Sequence, residues 1–317
     1  MNCLFGTLFG IYYNHFKSVA MKTKNYIIIM LLAFCNGSIA QGIALKSKTQ
    51  FANLPGRKVA YRSIGKGAPI ILVNRFRGTL DTWDPLFLDK LAEKHQVITF
   101  DYTGIGYSTG ELPTEITTVA NDVNDLANYL NLKKVIIMGW SYGGLVAQVA
   151  ALQYPELVTD TILLGTGPVV KRIVPLEQAF LDAALKPIND FNDEVILFFE
   201  PKSDASRAAA QVSHNRIAQR LDVSKIPSTM AVFERYFKGA AGVAEDVQGF
   251  REKLKATNMP ILVISGDHDI SFAIENWFPL VRDLPTTQII VLPLTGHGPQ
   301  HQHPTLVTGY IEAFLAE

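Results

Sequence analysis

The run Lys134-Val135-Ile136-Ile137-Met138-Gly139-Trp140-Ser141-Tyr142-Gly143 decides the fold. Val135 to Met138 is an unbroken apolar stretch rich in β-branched residues, the composition of a strand buried on both faces. Leu145–Tyr154 follows with the pattern of a helix. Strand and helix are too close in sequence for anything but a sharp turn, and Ser141 sits at its tip. Gly139 and Gly143 stand two residues before and two after, where a side chain would clash. The first free N–H groups of the helix then point toward any negative charge that develops beside Ser141. The five-residue glycine–serine–glycine pattern alone is common; its place between a buried strand and a helix makes it specific.

Working outward, strands and helices alternate. Lys58–Ser63, Ile70–Asn74, Val97–Asp101, Thr161–Leu164, Ile261–Ser265 and Gln288–Leu292 read as strands. Asn121–Leu130, with Val123, Leu126, Ala127 and Leu130 at helical spacing, and Pro304–Leu315 read as helices. The alternation predicts an α/β fold, a mostly parallel central sheet covered by helices on both faces. One segment breaks the rhythm. Between about Val170 and Gly249 the pattern is helical and rich in Phe: Phe180, Phe191, Phe198, Phe199, Phe233 and Phe237. It is expected to form a helical lid over the sheet at about 170–250, the alternative being further covering helices. No internal repeat or low-complexity stretch is visible.

The composition is that of a globular chain: 317 residues, 48% hydrophobic and 18% charged. Lys+Arg and Asp+Glu both number 29, so nothing points to a nucleic acid or an anionic membrane surface as partner. Residues 1–40 read as a leader containing a signal peptide whose start is Met21. Lys22 and Lys24 precede the apolar run Tyr26–Phe34, and Ser38-Ile39-Ala40 offers a small-x-small cleavage pattern. The run is too short to span a bilayer, so no stable membrane insertion is expected after cleavage. The mature domain is then 41–317, periplasmic or secreted. Both cysteines, Cys3 and Cys35, fall in the leader, which leaves no disulfide and no cysteine nucleophile. Lipid modification at Cys35 is a second option, disfavoured by the bulky Phe34. Removing the three leader lysines leaves a net charge of −3.

In this setting Gly139-Trp140-Ser141-Tyr142-Gly143 resembles the nucleophile elbow of the α/β-hydrolase superfamily. Phe100-Asp101-Tyr102-Thr103-Gly104-Ile105-Gly106-Tyr107-Ser108 is similar to that family's D-x-x-G-x-G-x-S loop, and Leu163-Leu164-Gly165-Thr166-Gly167-Pro168 precedes the lid as in its members. The resemblance covers roughly residues 55–317 and is strongest to the serine esterase and cofactor-free haloperoxidase-like branch. It implies a serine hydrolase with a triad in the order Ser, acid, His. Ser141 is then the nucleophile. His297, between Gly296 and Gly298 on the loop after the last strand, is the base. Gly266-Asp267-His268-Asp269 follows the strand Ile261–Ser265, and the family pattern G-x-x-D selects Asp269 as the acid, with Asp267 a turn residue. The oxyanion hole would combine the N–H of Tyr142 with one from the loop Asn74-Arg75-Phe76-Arg77-Gly78, by position that of Phe76. Relatives usually carry His-Gly where this chain has Asn74-Arg75. Arg75 and Arg77 are open to two readings: contact with an anionic substrate, or pairing with Asp81 or Asp84.

Other readings are weaker. His297, His301 and His303 suggest a metal site, but Gly298 and Pro299 interrupt the helix such spacing needs, so no metal is expected. Gly104, Gly106 and Gly110 resemble a dinucleotide fingerprint with the third glycine displaced and the loop far from the first strand, so no cofactor is expected. A catalytically silent binding protein of this fold would show a decayed triad. Ser at position 141 argues against a dehalogenase or epoxide hydrolase, which usually carry Asp there. The resemblance implies cleavage of a carboxylic ester or lactone, with a carbon–carbon bond hydrolase or a proline-type aminopeptidase as alternatives. Perhydrolysis, with apparent halogenation, is an expected side activity. The Phe-rich lid favours a small-molecule substrate with an apolar acyl or aryl group.

Overall fold

The computed structural model describes residues 42–317. The expected leader, its cleavage site and both cysteines lie outside the described residues. Eight strands among these form one sheet: β1 (Gln50–Leu54), β2 (Arg57–Ile64), β3 (Ala68–Val73), β4 (His95–Phe100), β5 (Val135–Trp140), β6 (Val158–Leu164), β7 (Ile261–Gly266) and β8 (Thr287–Leu292). Their order is β1-β2-β4-β3-β5-β6-β7-β8. β1, β2 and β4 pair antiparallel, and every pair from β4 to β8 is parallel.

The apolar runs are continuous because each parallel strand feeds two cores. Ile71, Val73, Val135, Ile137, Leu163 and Val263 point to one face, which the helices Ile116–Tyr129, Tyr142–Gln153 and Phe250–Ala256 cover. Ile70, Leu72, Ile136, Met138, Ile162, Leu164, Leu262 and Ile264 point to the other, covered by Pro85–Leu91 and Pro304–Phe314. Alternation by two thus fills both layers, and a polar residue on either face would stand in a core.

β1 and the helix Pro85–Leu91 are among the elements that escaped the sequence reading. β1 buries only Ala52 fully and alternates with exposed neighbours, so it carries no apolar run; its signal was the Pro55-Gly56 turn, where Gly56 adopts φ +75°. The helix Pro85–Leu91 begins at Asp84, whose side chain accepts from the Leu86 N–H, with Pro85 in the first turn.

The segment between β6 and β7 holds the helices Gln178–Ala184, Phe191–Phe198, Asp204–Ile217 and Met230–Ala244, with no strand among them. The helical expectation therefore describes its content. The segment is not one detachable flap, however. Arg216 pairs with Asp84 at 2.5 Å and Ser213 Oγ donates to the same carboxylate at 2.7 Å, which ties Asp204–Ile217 to the start of Pro85–Leu91.

The carboxyl ends of β3, β5, β7 and β8 lead into the loops that carry Asn74, Ser141, Asp269 and His297. Parallel strands deliver all of them to one edge of the sheet, where open α/β sheets place their ligands.

Candidate active site

Ser141 follows β5 directly and has φ 61° and ψ −123°, a left-handed conformation that costs a non-glycine residue of order 1–3 kcal/mol. Its surroundings impose it. The Ser141 N–H donates to Leu164 O at 3.0 Å, and its carbonyl accepts from the Gly144 N–H and from Thr166 Oγ1, each at 2.8 Å. The two motif glycines are required by close backbone. A Cβ at Gly139 would lie 2.2 Å from Gly143 O, and one at Gly143 would lie 2.1 Å from Val73 O.

His297 and Asp269 meet as the sequence order implies. His297 Nδ1 and Asp269 Oδ2 are 2.8 Å apart, both side chains buried. Asp269 Oδ1 accepts from the Ser271 and Phe272 N–H groups at 2.8 Å each. Burial pushes the Asp269 carboxyl up, but the His297 ring and these two N–H groups outweigh it and hold the carboxyl below its usual range. The imidazole stacks on Phe272 (centroids 5.8 Å, 6°), and Trp140 Nε1 donates to the His297 carbonyl at 2.8 Å. Its Nε2 is enclosed and has no partner among the described residues. Ser141 and His297 line the same small chamber of about 20 Å³.

Asp267 lies apart, half exposed, 2.6 Å from His268 Nδ1 and accepting from the Thr295 N–H at 3.3 Å. The three clustered histidines do not converge. The His301 ring lies tilted against Trp140 with centroids 4.6 Å apart, burial pushing the imidazole down to about 4, and His303 Nε2 approaches Thr295 Oγ1 at 3.1 Å.

Phe76 and Tyr142 both border the serine. Neither backbone N–H finds an acceptor within the protein among the described residues. Asn74 holds this loop in place: its Nδ2 donates to Phe100 O at 2.6 Å and its Oδ1 accepts from Trp83 Nε1 at 2.7 Å. The sequence carried no signal for these supports, nor for Thr166 and Trp140, because each acts on a residue distant in the chain.

Of the two readings of Arg75 and Arg77, pairing with Asp81 or Asp84 does not occur. Asp81 pairs with Arg62 at 2.6 Å, and Asp84 with Arg216. Arg77, buried with φ 58°, instead spends its guanidinium on the neighbouring helical segment. It donates to the carbonyls of Pro227, Ala184, Lys186 and Pro187 and to Asn189 Oδ1, at 2.7–3.1 Å, and lies over the Phe233 ring. Removing it strands these acceptors. Arg77→Met is expected to lower stability by about 2–4 kcal/mol, read as a fall in the urea midpoint. An unchanged midpoint would mean that the segment is held elsewhere.

A second, larger cavity of about 590 Å³ also reaches Ser141. Its wall is mostly apolar, with Phe76, Leu145, Phe180, Leu181, Tyr236 and Phe272 prominent, and Lys171 and Arg172 are its charged members. Two of the inserted helices, Gln178–Ala184 and Met230–Ala244, contribute to that wall.

A serine on a strained turn after a central parallel strand, with a histidine and an acid on the loops after the next strands, is the layout of an α/β hydrolase. The family model described as alpha/beta hydrolase fold matches residues 68–304, and the chain belongs to that family. It is 24% identical to an alpha/beta hydrolase fold protein from Chitinophaga pinensis, covering 86% of this chain and 98% of that one, with a TM-score of 0.72. A thermophilic esterase from Thermogutta terrifontis matches at 24% identity over 85% of this chain and 98% of that one, with a TM-score of 0.66. In sequence, a Synechocystis protein named as a candidate non-heme chloroperoxidase is 25% identical over 281 residues, 81% of this chain and 94% of that one. The last match agrees with the branch that the motifs resemble.

Proposed function

We propose that the protein is a serine hydrolase that cleaves a carboxylic ester or lactone through an acyl-enzyme on Ser141. The observation that carries this reading is the 2.8 Å contact between His297 Nδ1 and Asp269, with His297 lining the same chamber as Ser141. Ser141 Oγ attacks the carbonyl carbon and His297 Nε2 takes its proton. Asp269 fixes the tautomer and stabilises the charged ring. The N–H groups of Tyr142 and Phe76 receive the developing oxyanion. His297 then protonates the leaving oxygen and afterwards activates the water that releases the acid.

The two cavities divide the substrate. His297 must reach the leaving oxygen, and it lines the small chamber but not the large cavity. The leaving group therefore enters the chamber and the acyl group the large apolar cavity, beneath the helical segment that serves as the lid. Ethyl esters of rising acyl length, followed by acid release in a pH-stat, test this. We expect kcat/KM to rise roughly fourfold per added CH2 until the cavity is filled. A flat series would place the acyl group outside the cavity.

A further inference from the structure

Arg75 stands at the wall of the chamber that would receive the leaving group. Its environment differs from that of Arg77 two residues on. Arg77 uses its whole guanidinium on protein acceptors. Among the described residues Arg75 makes one hydrogen bond, from Nη1 to the Phe76 carbonyl at 2.7 Å, while its Nε is enclosed without a partner and its Nη2 finds no acceptor. No carboxylate pairs with it among the described residues. Glu194, the acid whose charge bears on it most, is engaged with His214 at 2.7 Å. Burial, with the Arg77 charge next, pushes the Arg75 guanidinium down to about 10, so it stays charged at neutral pH. The faces of Phe198 and Trp140, 4.5 and 5.3 Å from its central carbon, fix its plane.

A half-buried cation with a spare donor and no paired carboxylate is costly unless something else supplies the anion. The rest of the chamber wall is neutral or already occupied: Phe180, Ala184, Leu197, Phe198 and the Asn189 amide, which Arg77 uses. Its volume of about 20 Å³ has room for one small polar group.

We propose that Arg75 selects a leaving group that carries a carboxylate, so that the substrates are apolar acyl esters of short hydroxy acids. This rests on Ser141 hydrolysis as described above. In the reaction, water adds OH to the acyl carbon and a proton to the leaving oxygen. An acyloxyacetate thus gives a fatty acid and glycolate. The guanidinium takes the carboxylate through Nη2, the donor for which the described residues supply no acceptor. It binds substrate directly and sets specificity without taking part in proton transfer.

The test compares hexanoyloxyacetate with isobutyl hexanoate, whose alcohol has the same shape without the charge. For the wild type we expect kcat/KM on the order of 100-fold higher for the anionic ester. Arg75→Met should reverse the preference, mostly through KM, and Arg75→Lys should keep part of it. If Arg75→Met fails to fold, two measurements remain: the wild-type ratio, and protection of Ser141 by glycolate against a fluorophosphonate. Equal use of both esters by the wild type, or a preference that survives in Arg75→Met, overturns the inference and leaves the Ser141 reading intact. So does hydrolysis of neither ester with Ser141 still labelled. Hydrolysis of neither with no labelling at all removes both.

Discussion

Ser141→Ala is expected to cut ester hydrolysis by ~10⁴-fold or more, in line with measured triad knock-outs. A fluorophosphonate should add once to the wild type, on Ser141, and not to the variant. Folding should survive the change. The positive φ of Ser141 is held by its own N–H and carbonyl, through Leu164 O, the Gly144 N–H and Thr166 Oγ1, and none of these contacts involves the hydroxyl. The variant removes one oxygen and leaves no large cavity. A wild-type rate in the variant, or an unmodified Ser141 after probe treatment, would leave a fold without this mechanism. Activity lost to chelators and insensitive to the probe would point to a metal site instead.

Asp269→Asn is expected to reduce kcat by about 10⁴. The geometry explains why so small a change matters. Asp269 Oδ1 already accepts from the Ser271 and Phe272 N–H groups, so an Asn must keep its carbonyl there. Its NH2 then faces His297 Nδ1 at the 2.8 Å contact and forces the proton onto Nε2. An imidazole protonated at Nε2 cannot accept the Ser141 proton. Since the Asp269 carboxyl is held below the usual range, the wild type keeps its anion across neutral pH. Asp267→Asn removes only an exposed contact with His268 and a long one from the Thr295 N–H, and should change kcat less than about threefold. The opposite ranking, measured side by side, would move the acid to Asp267.

The elbow was legible in the sequence because its constraints are local. Gly139 and Gly143 are needed where backbone meets backbone, and a five-residue pattern can state that. The strands were legible for a related reason: both faces of β3, β5, β6 and β7 are buried, so each apolar run is unbroken. β1 was not, since it buries one side chain at a sheet edge. The partners of the charged residues near the oxyanion loop were also beyond reach. Asp81 and Asp84 lie close to Arg75 and Arg77 in the chain, yet they pair with Arg62 and Arg216, brought in by β2 and by a helix of the inserted segment. Sequence proximity suggests partners, and the fold supplied closer ones. The helical content of the insertion was readable from its lost strand rhythm; its anchoring through Arg77 and Arg216 was not, because the acceptors of Arg77 are backbone carbonyls that any sequence would provide.

The pairing of β6 with β7, Thr161–Leu164 against Ile261–Ile264, spans the whole inserted segment. This has a temporal meaning during synthesis. Ser141 leaves the ribosome long before Asp269 and His297, and chains grow and fold from their N-terminal end. Until β7 arrives, β6 is an open apolar edge, and contacts so distant in sequence form late. On the proposed mechanism the nascent chain therefore carries Ser141 before the base that would activate it. A chain that stops short of Ile261 would be inert toward esters and prone to stick to its neighbours, so hydrolysis reports on completion of the polypeptide as well as on its chemistry.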